Sequence, residues 1–293
     1  MTAGARAATR SAVASASPVD VASLLLPSLR PIPGINLAAR HLPAAGGAAE
    51  VGDFYDAFET GRVSTGVVMG DVCGTGMEAA VVARFARDVL RRAARSSASP
   101  SRNLATLNQT LIDRARGRGD EFEPDRFLSA AYLTLRPTTT GFTATLCLAG
   151  HPPALLRTAE GLVSEVGHTG SILGVFPSPD LGLRETRVRL EPGDALVLYT
   201  DGVTEARRGD EFYGTERLSQ VFHAAKGLDA EELSAHIVDV VVAFSGGDLR
   251  DDTAVLVLQV PREPVMAESG EITARLGVQR TVKRASPEPA SRH

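Results

Sequence analysis

Aspartates at four places in this chain, Asp53, Asp71, Asp201 and the pair Asp251-Asp252, are the residues best suited to do chemistry together. Each stands at the end of an apolar run or in the turn beside it. Gly52, Gly70 and Gly202 adjoin the first three, and glycine lets backbone approach a ligand closely. Carboxylates gathered in one place disfavour each other's ionisation, and a cation is the usual remedy. A donor set of oxygens without histidine or cysteine points to a hard ion, Mg²⁺ or Mn²⁺, and away from zinc. Two such ions about 4 Å apart can activate a water and orient a phosphoryl group for in-line attack. Taken singly, each aspartate is better read as a turn or surface residue, and the spacing alone does not bring them together.

The elements that must position these acids follow from periodicity. Thr65 to Met69 is apolar throughout and reads as a buried strand, with a helical pattern from about Met77. Asp71 is therefore expected in the glycine-rich turn Gly70 to Gly76. Before it, Ile35 to His41 and Val51 to Phe58 read as strands, and Val19 to Leu29 as a short helix ended by prolines. Val82, Phe85, Val89 and Ala93 share one helical face. Ser101 is placed to cap a second helix bearing Leu104, Leu107 and Leu111, and the charged stretch Arg114 to Glu123 reads as a loop. Phe127 to Leu135 and Gly141 to Ala149 form an expected hairpin, Gly150 to Pro153 breaks its second strand, and Ala154 to Arg157 is expected to resume that strand. Gly182 to Leu190 alternates as a half-exposed strand. Ala195 to Tyr199 reads as a central strand that ends at Thr200-Asp201-Gly202. Two helices follow, the second with a capping box at Asp229 and Glu232 and a stop at Gly246-Gly247. Thr253 to Val260 is the last strand. Strands and helices come in blocks, which argues for an α+β fold with antiparallel sheets.

Composition sets the outer limits. The chain has 293 residues, 43% hydrophobic and 23% charged, ordinary for a globular protein. A net charge of −4 implies no polyanion-binding surface, so nucleic acid is not expected as a partner. Cys73 and Cys147, far apart and without a CxxC, indicate neither a disulfide framework nor a thiolate zinc site, and a cytoplasmic setting is expected. No apolar run is long enough for a bilayer span, so no membrane partner is expected. The termini, 1–18 and 262–293, read as disordered tails around one domain, 19–261.

As a set, the motifs are recognisable. SLLLPSLRPIPGINLAARHLPA, VGDFYDAF, GDVCGTGMEAA, LAGHPPALL, GSILGVF, DALVLYTDGVTEAR, FYGTERL and DDTAVLVLQV occur in this order between about Leu24 and Val260. The chain resembles the PPM-type (type 2C-like) serine/threonine phosphatases, in the bacterial branch of the sporulation phosphatase SpoIIE and the stress-response regulators of sigma factors. The resemblance implies an αββα sandwich of two stacked antiparallel sheets flanked by helices, with two Mn²⁺ or Mg²⁺ ions at one end between the sheets. It implies that Asp71 bridges both ions and that the Val72 carbonyl completes one coordination sphere. Asp201 and Asp251 would hold the second ion, and Asp53 would bind a metal or a metal-bound water. Asp252 would have a supporting role, with Gly74 and Gly202 keeping backbone near the ions. The implied reaction is hydrolysis of a phosphoserine or phosphothreonine ester without a phosphoenzyme.

Two departures from the family pattern stand near the site. Val51 replaces the first glycine of the usual Gly-Gly-Asp, and Cys73 stands where animal relatives have a histidine that protonates the leaving group; Thr75 for His is a neutral change. Cys73 reads as a small buried side chain, His151 as a residue fixing the turn before two prolines, and Phe54 and Tyr55 as packing. The 204–207 segment reads as structural, with Arg207 free to pair with an acid. The resemblance implies a phosphorylated anti-sigma-factor antagonist as substrate. With few residues ahead of the helix at 19–30, regulation is expected through a partner, an oligomer or expression level, the helix being the expected docking site for a regulator or a second subunit. Two rivals stand beside this reading, an inactive phosphoprotein-binding module and a hydrolase of small phosphate esters; retention of four costly acids argues against the first.

Overall fold

Apolar alternation on both faces of the central strands dictates a layered fold, because each face must be buried against something. The computed structural model describes residues 29–44, 52–61, 63–117, 127–176 and 181–262. One sheet has the order β1 (Asn36–Leu42), β13 (Thr253–Gln259), β10 (Ala195–Tyr199), β6 (Ala154–Arg157), β7 (Val163–Val166), all antiparallel. The other runs β2 (Phe54–Thr60), β3 (Ser64–Val72), β4 (Leu128–Pro137), β5 (Phe142–Ala149), with β8 (Thr169–Gly170) parallel and β9 (Glu185–Leu190) antiparallel to β5. Tyr55, Val67, Met69, Ala131, Leu133, Leu196, Leu198, Leu256 and Leu258 fill the space between the sheets. Their strand neighbours Phe54, Val68 and Tyr132 pack outward on α1 (Gly76–Ala94) and α2 (Pro100–Gly117). On the far side Val197, Tyr199, Val255 and Val257 pack against α4 (Gly214–Ala224) and α5 (Ala230–Ser245). This is the αββα sandwich. A one-turn helix α3 (Asp201–Thr204) and a small hairpin, β11 (Arg207–Arg208) with β12 (Glu211–Phe212), join β10 to α4.

Most of the expected elements are present, and the differences have local causes. β3 continues through Asp71 and Val72, because both pair with β4 opposite Ser129 and Leu128; Asp71 is thus a strand residue and not part of the turn. Ser99, not Ser101, sits ahead of Pro100 and accepts from the Arg102 N–H (3.3 Å), which leaves proline at the first helical position. Arg114 to Gly117 extend α2, with the Arg114 guanidinium over the Phe85 ring at 4.3 Å. β9 begins at Glu185, later than Gly182, and Ala154–Arg157 does not resume β5 but crosses to the other sheet, where it pairs with β10 and β7. The Asp229 and Glu232 capping box forms as expected. Arg207 lies 4.1 Å over the Phe212 ring and makes no ion pair among the described residues. Cys73 is exposed, contrary to the expectation of burial. The helix expected at 19–29 lies outside the described residues except for Leu29, as do the expected tails except for Arg262. Among the described residues no helix is long and apolar enough to cross a membrane.

Antiparallel pairing decides where the acids meet. Phe54 pairs with Gly70, so the start of β2 and the end of β3 lie together. Leu42 pairs with Thr253 and Tyr199 with Val255, which brings the end of β1, the start of β13 and the end of β10 to one edge of the other sheet. Asp53, Asp71, Asp201, Asp251 and Asp252 belong to these strand ends.

Candidate metal centre between the sheets

Asp71 has the parity of Val67 and Met69 along β3, so its side chain faces the space between the sheets. Asp53, one residue ahead of β2, is buried (1% exposed) and accepts from the Thr200 hydroxyl at 3.0 Å. Thr200 precedes Asp201 and is itself fixed, since its Oγ1 accepts from the Ala254 N–H at 3.0 Å. One threonine therefore ties an acid of the first sheet edge to two strands of the other sheet. Asp252 Oδ1 accepts from the Ala44 N–H (3.0 Å), and the Gly52 N–H also donates to this carboxylate. Asp251 Oδ1 accepts from the Asp252 N–H at 2.8 Å. Asp252 thus joins the segment after β1 and the residue before Asp53, which is a positioning role.

The backbone closes tightly around the same place. A methyl group on Gly52 would lie 2.6 Å from the Val72 carbonyl oxygen and 3.1 Å from Asp71 Oδ1. One on Gly202 would lie 2.0 Å from the Asp252 carbonyl oxygen. Neither position admits a Cβ without displacing backbone. Gly74 takes φ 95°, the left-handed region that favours glycine. Gly202 and Gly74 were legible as site glycines; Gly52 is the third, and its signal was its place between Val51 and Asp53. Val51 itself lies outside the described residues.

Electrostatics show that the five acids act on one another. Burial raises the Asp53 carboxyl well above the usual carboxylate range, and the charges of Asp71, Asp252 and Asp251 raise it further against the opposing Thr200 hydrogen bond. Asp71 is pushed up to about 7 by burial and then by Asp201, Asp251 and Asp252, while a hydrogen bond with Asp53 works the other way. Asp201 is raised by burial and by Asp251 and Glu205. Asp251 and Asp252 are raised chiefly by burial. None of the principal groups acting on these five is cationic. As the side chains stand, no three of them among the described residues converge on a point as ligands of one closed site would. The structure thus brings all five acids into electrostatic range without closing them on a single point. The donor set still fits hard divalent cations: oxygens only, in excess negative charge, beside the Val72 carbonyl, which a Cβ on Gly52 would crowd.

Behind the acids stands a pair that periodicity did not reveal. Ser129 is the cross-strand partner of Asp71 and shares its face. Its hydroxyl meets His151 Nδ1 at 2.8 Å, and the Tyr199 backbone, just ahead of Thr200, lies near the same ring. His151 is fully buried, and burial lowers its pKa to about 3, so the ring is neutral. Its carbonyl accepts from Thr169 Oγ1 at 3.0 Å. The ring thus ties the turn after β5 to β4, and its Nε2 has no hydrogen-bond partner among the described residues.

Residues 61–261 match the family model described as stage II sporulation protein E (SpoIIE). Among curated proteins the chain is similar to Protein IcfG of Synechocystis sp., 28% identical over 71% of this chain and 35% of that protein. It is 25% identical to phosphoserine phosphatase RsbU of Bacillus subtilis over 71% of this chain and 59% of RsbU. The chain spans between about a third and three fifths of the length of these relatives. Among solved structures it is similar to the RsbU and RsbW domains of Rv1364c from Mycobacterium tuberculosis, with TM-score 0.64, 26% identity and coverage of 82% of this chain and 63% of that one. RsbX in complex with magnesium shares the fold at TM-score 0.57 and 14% identity, covering 79% of this chain and 98% of RsbX.

Proposed function

The chain belongs to the SpoIIE family of PP2C-type phosphatases, and on that premise we propose that it hydrolyses phosphoserine or phosphothreonine esters in a protein substrate. The observation that supports this most directly is the gathering of five carboxylates at one end of the sandwich with no cationic side chain, among the described residues, in the principal groups that act on them. Asp71, Asp53, Asp201, Asp251 and the Val72 carbonyl are the residues that would hold two Mn²⁺ or Mg²⁺ ions. Bound there, such ions would neutralise phosphoryl oxygens and lower the pKa of an attacking water. Thr200 holds Asp53, and Asp252 holds the backbone of Ala44 and Gly52, so the ligand oxygens keep their places as charge changes. Ser129, across the strand pair from Asp71, is held by His151. His151 is a positioning residue: buried and neutral, it faces Ser129 and Tyr199 rather than the open side of the site.

The substrate that the family resemblance favours is an anti-sigma-factor antagonist bearing one phosphorylated serine or threonine. Release of phosphate from a phosphoserine peptide, compared with free phosphoserine, tests the reading. We expect Mn²⁺-dependent turnover of the peptide that disappears with chelator and in Asp71→Asn. Metal-independent turnover, or turnover that survives in Asp71→Asn, would contradict it. Preference for free phosphoserine would move the assignment to a small-ester hydrolase.

A further inference from the structure

The helix-facing side of β4, β5 and β9 changes character partway along its strands. Near the acids it is apolar, with Ala130, Tyr132, Cys147 and Ala149 under α1 and α2. Past Tyr132 the same face carries Thr134, Arg136, Thr143 and Thr145, and on β9 Arg187 and Arg189 share it, because Val188 and Leu190 point the other way into the space between the sheets. The pairing sets these residues in two rows. Thr134, Thr145 and Arg187 lie side by side, and Arg136, Thr143 and Arg189 beside them. Arg136 and Arg189 flank Thr143 from two strands apart, about 10 Å between backbones, close enough for two long guanidinium side chains to reach one group.

Except for Arg189, these rows border a pocket of about 680 Å³, walled on its other side by the connection between α1 and α2 (96–99) and by Arg102. Thr134 secures that wall through its hydroxyl, which donates to the Ala98 carbonyl at 3.0 Å. Arg102, Arg136 and Arg187 all line the pocket, and among the described residues none of the three makes an ion pair. Elsewhere the exposed arginines Arg208 and Arg217 do find an acid, Glu211. The one acid in the lining, Glu185, is spent on the first turn of α2, where it accepts from the hydroxyls of Ser99 and Ser101 and from the Ser101 N–H. The helix terminus is therefore already satisfied by the protein. What remains is three guanidiniums, of which Arg187 alone acts on the Glu185 charge, and several hydroxyls, in a chain whose net charge is −4.

We propose that this pocket binds a phosphoryl group. Guanidinium forks match a tetrahedral oxyanion with paired hydrogen bonds, and serine and threonine hydroxyls add donors for the remaining oxygens. Three cations exceed what one carboxylate neutralises, and no aromatic side chain lines the pocket to stack a nucleobase, so the phosphoryl group itself is the recognised chemistry. The pocket is separate from the acids: Thr134 and Arg136 lie along β4 from Ser129, the partner of Asp71, by roughly 17 and 23 Å at the usual strand rise. The inference does not rest on the phosphatase reading.

The test is calorimetric titration of the chelator-treated full chain, so that no cation at the acids draws phosphate. The probes are inorganic phosphate, a phosphoserine peptide and its unphosphorylated form. We expect saturable binding of phosphate or the phosphopeptide, weakened at least about tenfold in Arg136→Ala/Arg187→Ala, with a smaller loss in the charge-preserving Arg136→Lys/Arg187→Lys. Arg84→Ala/Arg92→Ala, which removes the same charge from exposed positions on α1, should bind as the parent does. Circular dichroism confirms that each variant is folded, and the lysine variant keeps the test open should the alanine variant fail. Binding of the phosphopeptide alone assigns a protein-borne phosphoryl group; equal binding of free phosphate assigns the anion itself. No saturable binding of either probe, or an equal loss in the α1 control, would overturn the proposal.

Discussion

Two buried aspartates three residues apart on the same segment show what distinguishes a structural acid from a functional one. Asp53 and Asp56 are both 1% exposed. Asp56 has the outward parity of Phe54 and Phe58 and meets the helix layer, where Arg91 of α1 donates to both its oxygens at 2.6 and 2.8 Å. A second arginine, Arg87, stands 3.8 Å away. Asp53 receives one hydroxyl and faces other carboxylates, which drive its pKa upward. Burying a charge is costly unless a partner is provided. At Asp56 the chain provides that partner. At Asp53, among the described residues, it provides a hydroxyl and no cationic partner, and on the proposed reading a divalent cation would fill that role.

Breaking the contrast at its functional end has the largest expected effect. Asp71→Asn removes an acid on which three other carboxylates act, and a metal site lowers the barrier by several kcal/mol, so phosphopeptide turnover should fall about a thousandfold. Steady-state rates at saturating Mn²⁺ measure it. The structural end responds in stability instead. Asp56→Ala strands Arg87 and Arg91 and should cost about 2–3 kcal/mol in urea unfolding, below the full range for a broken buried pair because the Arg91 side chain is 45% exposed. In the presence of chelator, Asp53→Asn should leave stability unchanged or raise it, since it relieves repulsion. A matching loss at both positions would remove the distinction.

Gly52→Ala sharpens the comparison without touching a carboxylate. The new methyl must displace the Val72 carbonyl or Asp71, and Mn²⁺ affinity should drop about tenfold while the Asp56 pair is untouched. A smaller effect concerns the group behind the acids. His151, lowered from 6.5 to about 3, stays neutral in the fold while the unfolded chain's histidine protonates near 6.5. The unfolded state then binds more protons between those values, so stability is present above about pH 6.5 and is lost as pH falls toward 3. Nitrogen NMR of the ring should show one neutral tautomer at pH 5. A ring that titrates near 6.5 would be a protein-borne cation at the acid end, and the contrast would weaken.

Much of the positioning was legible because it rested on period and punctuation. Ala195 to Tyr199, apolar on both faces, had to be a central strand between two layers, and the Asp229 and Glu232 spacing had to cap a helix. The acids were legible as residues through the glycines beside them. Their convergence was not, because it depends on antiparallel register between strands as distant as β3 and β13. The same holds for Thr200 and Ser129, whose roles come from what lies across the sheet. Cys73 was misread because a small side chain beside a strand carries no mark of burial, and the turn it occupies opens to solvent. Asp56 gave no hint of its arginines, since only the packing of α1 on β2 brings Arg87 and Arg91 above it.

Calorimetric titration of Mn²⁺ into the full chain, beside Asp71→Asn and Asp56→Asn, is the most direct test of the claim that the acid end is built for cations. The wild type should bind saturably, Asp71→Asn should lose most of that binding, and Asp56→Asn should keep it even if the protein is less stable. No binding to the wild type, or equal binding in all three, would contradict the account.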